Sequence, residues 1–258
     1  MAGNISFLRK IYSLELASAL EYRFSFFTQV FAMFLNDLFW IFFWFLLFER
    51  FTTVGNYHFT DMVLFQSFLA LSFGIIEVCF ANRAILSKLI ESGSLDYYLT
   101  LPKNELLHIL IRCRTSGFGD LLYGLVLALI ILPWHVWPLY LLLLFFSALV
   151  MLSWSILVHS IGFFVNRFEG AARVVQEGFL SLAFYPFGVY KGGVRFILLF
   201  VIPAGFVAGI PVEVIHLFSF KWLGITAIVS SLFFLLALAV FYKGLKKYES
   251  GNVMVMRG

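Results

Sequence analysis

Three carboxylates stand where a carboxylate is expensive. Asp37 (beside Asn36), Glu77 and Asp120 each fall inside a long apolar stretch, where a bare charge at the bilayer centre costs at least ~2.5 kcal/mol on insertion scales. Each must therefore face protein or water. Carboxylates set across a membrane can line a path for a substrate or for protons. They can also fix helix packing by pairing with cations, and Arg83, Arg112 and Arg114 lie within a few turns of Glu77 and Asp120. Asp37 has no basic neighbour in sequence, so both readings stand for it. Gln66, Ala70, Gly74 and Glu77 share one helical face, as do Arg112, Ser116, Gly119, Asp120 and Tyr123. Small and polar residues in such a stripe suit close contact between membrane helices.

Other chemistry is harder to place. His58, His108, His135, His159 and His216 are scattered without metal-ligand spacing, so no metal site is expected. No phosphate-binding loop of the G-x-x-x-x-G-K-[ST] type, no H-E-x-x-H and no G-x-S-x-G occurs, so this chain is expected to hold no nucleotide cofactor and no catalytic centre. Cys79 and Cys113 cannot make a disulfide framework and read as free thiols. A membrane-embedded transferase would need Asp37, Glu77, Asp120 or His159 to converge on one reacting group. An ion-coupled secondary transporter would use the same carboxylates as proton carriers, but commonly with matching broken helices in two halves.

The elements that position these residues follow from composition. With 62% hydrophobic and only 12% charged residues, the 258-residue chain is an all-α integral membrane protein of one domain. Residues 1–23 read as an amphipathic helix in the headgroup plane, capped by Asn4, with Ile5, Leu8, Ile11, Tyr12, Leu16 and Ala19 on one side. Stretches 24–48, 62–81, 106–132, 139–165 and 222–242 are long and apolar enough to cross a ~30 Å core, and 174–190 is a shorter sixth span. Residues 192–217 are apolar but broken by Pro203, Gly205, Gly209 and Pro211, which predicts a re-entrant or interfacial element on the outer side. Six spans with both termini inside leave only Arg50, Lys191, Arg195 and Lys221, of 18 Lys and Arg, outside. That excess has the pattern of loop orientation, and no basic run of nucleic-acid type occurs. Trp134, Trp137, Tyr140, Trp222 and Tyr242 fit interfacial belts.

The most water-compatible stretch is 83–105. Ile85, Leu86, Leu89 and Ile90 lie opposite Arg83, Ser87, Lys88, Glu91 and Ser92, a short amphipathic helix. Gly93 suits its C-terminal cap, Pro102 bars a continuous helix, and Asn104 with Glu105 can start the next. By pattern alone this helix could lie on lipid.

The order of parts resembles the permease subunits of second-type ATP-binding-cassette (ABC) exporters over essentially the whole chain. The resemblance is carried by Gly93, Asp96, Tyr97, Tyr98, Leu101, Pro102 and Lys103, by Gly117, Gly119, Asp120 and Gly124, and by Tyr185, Pro186, Tyr190, Arg195, Pro203, Ala204, Gly205 and Pro211. It implies that 83–105 is a cytoplasmic coupling loop docking on a separate ATPase, with Ile85, Leu86, Lys88, Leu89, Ile90, Asp96 and Tyr97 as its candidate docking residues, the apolar ones packing either on the ATPase or back on the spans. ATP and Mg would be bound by that partner. It also implies a second permease chain facing this one in the plasma membrane, with Gln29, Asn36, Asp37, Glu77, Asp120, Tyr185 and Pro186 as pathway or helix-packing residues. The weakly charged, aromatic spans point to an amphipathic or hydrophobic cargo.

Overall fold

The computed structural model describes residues 2–100 and 104–248, with side chains from residue 9 onward. Asn4, Ile5 and Leu8 as side chains, and Leu101, Pro102 and Lys103, therefore lie outside the described residues. The described residues form helices joined by turns and short irregular connections, and their only β pairing is two isolated bridges, Val54 to Tyr57 and Phe80 to Arg112. Its α-helices are α1 (Ala2–Glu21), α2 (Arg23–Arg50), α3 (Phe59–Phe80), α4 (Leu86–Glu91), α5 (Asp96–Leu99), α6 (Glu105–Leu110), α7 (Gly117–Ile131), α8 (Trp137–Ser160), α9 (Glu169–Ala183), α10 (Gly192–Phe200), α11 (Gly209–His216) and α12 (Phe220–Leu245).

Four apolar helical stretches are long enough to cross a membrane: Arg23–Arg50, Phe59–Glu91, Trp134–Phe163 and Phe220–Leu245. α7 is apolar but shorter. At 1.5 Å per residue, the 15 residues of α7 and of α9 reach only about 22 Å. The continuous helix expected over 106–132 is interrupted. Ile111 to Ser116 leave the helix, and this backbone pairs with the end of α3, Ala81 N–H donating to Arg112 O (3.1 Å) and Arg114 N–H to Glu77 O (3.1 Å). The break carries the polar run Arg112, Cys113, Arg114 and Thr115.

Glycines set the helix spacing in the first half. A Cβ on Gly74 would meet Leu121 at 2.9 Å, one on Gly117 would meet Glu77 Cβ at 2.8 Å, and one on Gly124 would meet Leu71 at 2.8 Å, so α3 and α7 touch almost backbone to backbone. Gly119 does the same for α2, where Val30, Met33 and Phe34 fill its place. α2 is otherwise peripheral, with 6% of its apolar stretch buried against 67% for Phe59–Glu91.

The Pro- and Gly-broken region folds inward. Pro203 to Val212 are buried between α3, α8 and Phe187, so this broken backbone sits against protein, a setting that a low-dielectric layer tolerates. Tyr57 donates to Gly209 O (3.2 Å), His216 Nε2 lies 2.8 Å from Asp61, and Arg195 reaches Glu213 at 3.7 Å while lying 4.7 Å over the Phe187 ring. Burial raises the Glu213 carboxyl above the ordinary carboxylate range, against the opposing pull of Arg195. Tyr140 is no belt residue: it is fully buried, its hydroxyl 3.0 Å from Ser67 Oγ. Trp134, 82% exposed and stacked on Trp137, fits one.

Candidate functional site

The three carboxylates part company. Glu77, 3% exposed, is bound by cations on both sides, with Arg83 Nη2 at 2.5 Å and Arg114 Nη1 at 2.9 Å. Arg83 is itself 2% exposed and lies 5.8 Å from the Phe73 ring centre. This cluster joins the end of α3 to the 3₁₀ turn Ala81–Ile85 and to the extended approach to α7. Asp120 does not join it. The faces of α7 explain why. Gly117 and Gly124 are seven residues apart and turn toward α3, whereas Gly119 and Tyr123, four apart, turn toward α2 and carry Asp120 with them.

Asp120 therefore meets Asp37, and the two carboxyls lie within hydrogen-bonding reach of each other. Asp37 sits fourteen residues after Arg23 and thirteen before Arg50, at the middle of α2. The pair edges a cavity of about 140 Å³ between α2, α3, α7 and α9, also lined by Asn36, Gln66, Phe73, Tyr123 and Phe184. Among the described residues no Lys, Arg or His lines it. Of the other candidate residues, Gln29 is exposed and accepts a hydrogen bond from Thr115. Tyr185 is half-exposed, edge-on to Trp44, and Pro186 is buried. Neither lines the cavity. Gln66 and Tyr123 belong to it, and only as parts of small-residue stripes did the sequence mark them.

At the end of the bundle where α3 meets α7, the predicted loop helix forms as α4, stopped at Gly93 (φ +72°), and Asn104 caps α6 by accepting from Leu107 N–H (3.0 Å). Its faces are now assigned. Leu86 (fully buried) and Ile90 pack with Leu95, Ile109, Ile156 and Phe241 against α6, α8 and α12. Lys88 and Tyr97 are exposed, and Ile85, Leu89 and Asp96 partly so. Two polar contacts tie α4 to helices far along the chain: Ser87 Oγ lies 2.8 Å from His159 Nδ1 at the end of α8, and Glu91 Oε1 accepts from the Glu169 N–H (2.6 Å) that opens α9. A carboxylate there satisfies an orphan donor and suits the helix dipole. Glu91→Ala is expected to raise hydrogen exchange at the first amides of α9 about five-fold, matching the ~1 kcal/mol of a lost cap. His159 is engaged by Ser87 rather than by a carboxylate.

Among the described residues no group of three or more His, Cys, Asp or Glu could hold a metal. Cys79 and Cys113 are free thiols. Searches of the curated proteins and of the solved structures return no match. The family described as "ABC-2 family transporter protein" matches residues 34–251, a stretch holding both carboxyls of the cavity and the α4 loop. A multi-pass helical chain with that match over most of its length belongs to the ABC-2 transporter family and is a membrane permease component.

Proposed function

We propose that this chain is the membrane-spanning subunit of an ATP-driven exporter, moving an amphipathic or hydrophobic compound with a separate ATPase docked at the α4 loop. The family match carries this reading. In it the chain crosses the plasma membrane six times, α7 and α9 being the short passes, with both termini and the α4 loop cytoplasmic. A second permease chain, identical or not, completes the path, and ATP and Mg stay on the ATPase.

The polar ties of α4 support the mechanical part. A push on α4 reaches the end of α8 through Ser87 and His159, and the start of α9 through Glu91 and Glu169. Packed helices pass on such a displacement as tilt, which a solvated connector would absorb. Lys88 and Tyr97, with the partly exposed Ile85, Leu89 and Asp96, form the docking face, while Leu86 and Ile90 hold the helix to its own bundle.

The test is co-purification through a tag on the C-terminus. Lys88→Glu combined with Tyr97→Asp is expected to lower the recovered ATPase about ten-fold while leaving the melting temperature unchanged, since both side chains are exposed. Undiminished recovery would place the docking surface elsewhere. If no ATPase is recovered even with the wild-type chain, an ion-coupled carrier becomes the better reading.

A further inference from the structure

We infer that the cavity between α2, α3, α7 and α9 is a binding site for a compound presenting a protonated amine beside an apolar or aromatic body. The inference rests on the transporter reading for its meaning, since such a compound would be cargo, but the site is argued from its own geometry. Four polar side chains meet there, each more than nine-tenths buried: Asp37 (8% exposed), Gln66 (2%), Asp120 (3%) and Tyr123 (1%). Gln66 Nε2 and Tyr123 Oη lack a hydrogen-bond partner among the described residues, and the Asp37 and Asp120 carboxyls have only each other and Asn36 within reach, although each residue lines the cavity. Buried polar atoms are rarely left so, and two of them beside an acid pair with no cation mark an unfilled place.

Charge selects the occupant. Glu77, the third carboxylate of this half of the bundle, already has Arg83 and Arg114, whereas no basic side chain among the described residues lines the cavity. An ammonium group brings the missing positive charge and up to three donors for the two Asp oxygens and the phenol oxygen. Gln66 Nε2, a donor, is suited to an acceptor elsewhere on the same ligand. The Phe73 and Phe184 rings form apolar walls that favour both an aromatic body and a nearby cation. A volume of about 140 Å³ holds a single-ring amine or the amine end of a larger molecule. Anions are disfavoured by the same two carboxyls.

The test uses the full chain in lipid nanodiscs, without ATPase, and radiolabelled 2-phenylethylammonium as probe, with uncharged 2-phenylethanol as its matched competitor and empty nanodiscs as blank. One saturable ammonium site per chain is expected, with the alcohol competing about ten-fold more weakly. Asp37→Asn and Asp120→Asn should each weaken ammonium binding about ten-fold or more, the scale of a lost charged hydrogen bond. Tyr123→Phe should weaken it only a few-fold, and melting temperatures identify any variant that has lost its fold. Equal binding of ammonium and alcohol would overturn the inference, as would unchanged affinity in folded Asn variants or no saturable binding by the folded wild-type chain. The first of these is the behaviour of two carboxyls that merely satisfy each other. Because no ATPase is present, these outcomes are independent of whether the docking experiment succeeds.

Discussion

Glu77→Ala is expected to cost about 3–5 kcal/mol of stability, enough to remove most folded protein from a detergent extract. The magnitude comes from what stays behind. Arg83, 2% exposed, would keep a guanidinium in the bundle with neither counter-charge nor water, and Arg114 would lose its anchor as well. Glu77→Gln keeps the shape and one acceptor, and should fall between Ala and wild type. The decisive comparison is Glu77→Leu with Arg83→Met, which removes both charges and replaces them by side chains of similar bulk. That double variant should recover most of the loss, because a buried pair is worth little more than a well-packed apolar substitute. Unfolding in mixed micelles measures all three. A single Ala variant within 1 kcal/mol of wild type would mean that Arg83 finds another partner or reaches water.

Gly119→Val is expected to be as damaging by a different route. A Cβ at this position would stand 2.5 Å from Val30 O and 2.7 Å from Met33 Cβ. The first contact is backbone, so α2 as a whole must move outward. Overpacking in a well-filled core costs about 1–3 kcal/mol, and rigid contacts lie at the upper end. Since α2 carries Asp37 and buries little else, its displacement should also abolish saturable ammonium binding in any protein that survives. Gly178→Ala is the control, because nothing lies within 4 Å of the added carbon. It should stay within about 1 kcal/mol of wild type and leave binding intact. Normal stability and binding in Gly119→Val would show that α2 is free to shift on α7.

These two variants also mark where the sequence was and was not sufficient. The partners of Glu77 were legible because Arg83 is local and Arg114 lies on the next strand-like return of the chain. The α4 helix, its Gly93 stop and the Asn104 cap were equally legible, since caps and apolar spacing are local properties. The Asp37–Asp120 meeting was not. Reading it required knowing that the stripe containing Gly119, Asp120 and Tyr123 faces a different helix from Gly117 and Gly124, and both spacings fit the same short segment. The break at 111–116 was hidden for a related reason: apolar residues run on either side of it, and only pairing with the end of α3 holds its backbone extended. On α4 the pattern identified an apolar face but not its destination, and Leu86 and Ile90 turn inward.

The spacing of the two carboxylate clusters along the chain has a consequence for how the protein is made. Glu77 and Arg83 are six residues apart, so the cation leaves the ribosome just after the anion, and the charge can be matched while α3 is still being inserted. Arg114 completes the cluster soon afterwards. Asp37 waits far longer: eighty-three residues separate it from Asp120, and until α7 is delivered its carboxyl sits on a helix with little protein around it. Synthesis at ~5–20 residues per second makes that interval several seconds. The first span must therefore be apolar enough to stay in the membrane with one uncompensated acid, and its run of phenylalanines on either side of Asp37 meets that demand. The aromatic excess of this helix thus serves the nascent chain before it serves the finished one.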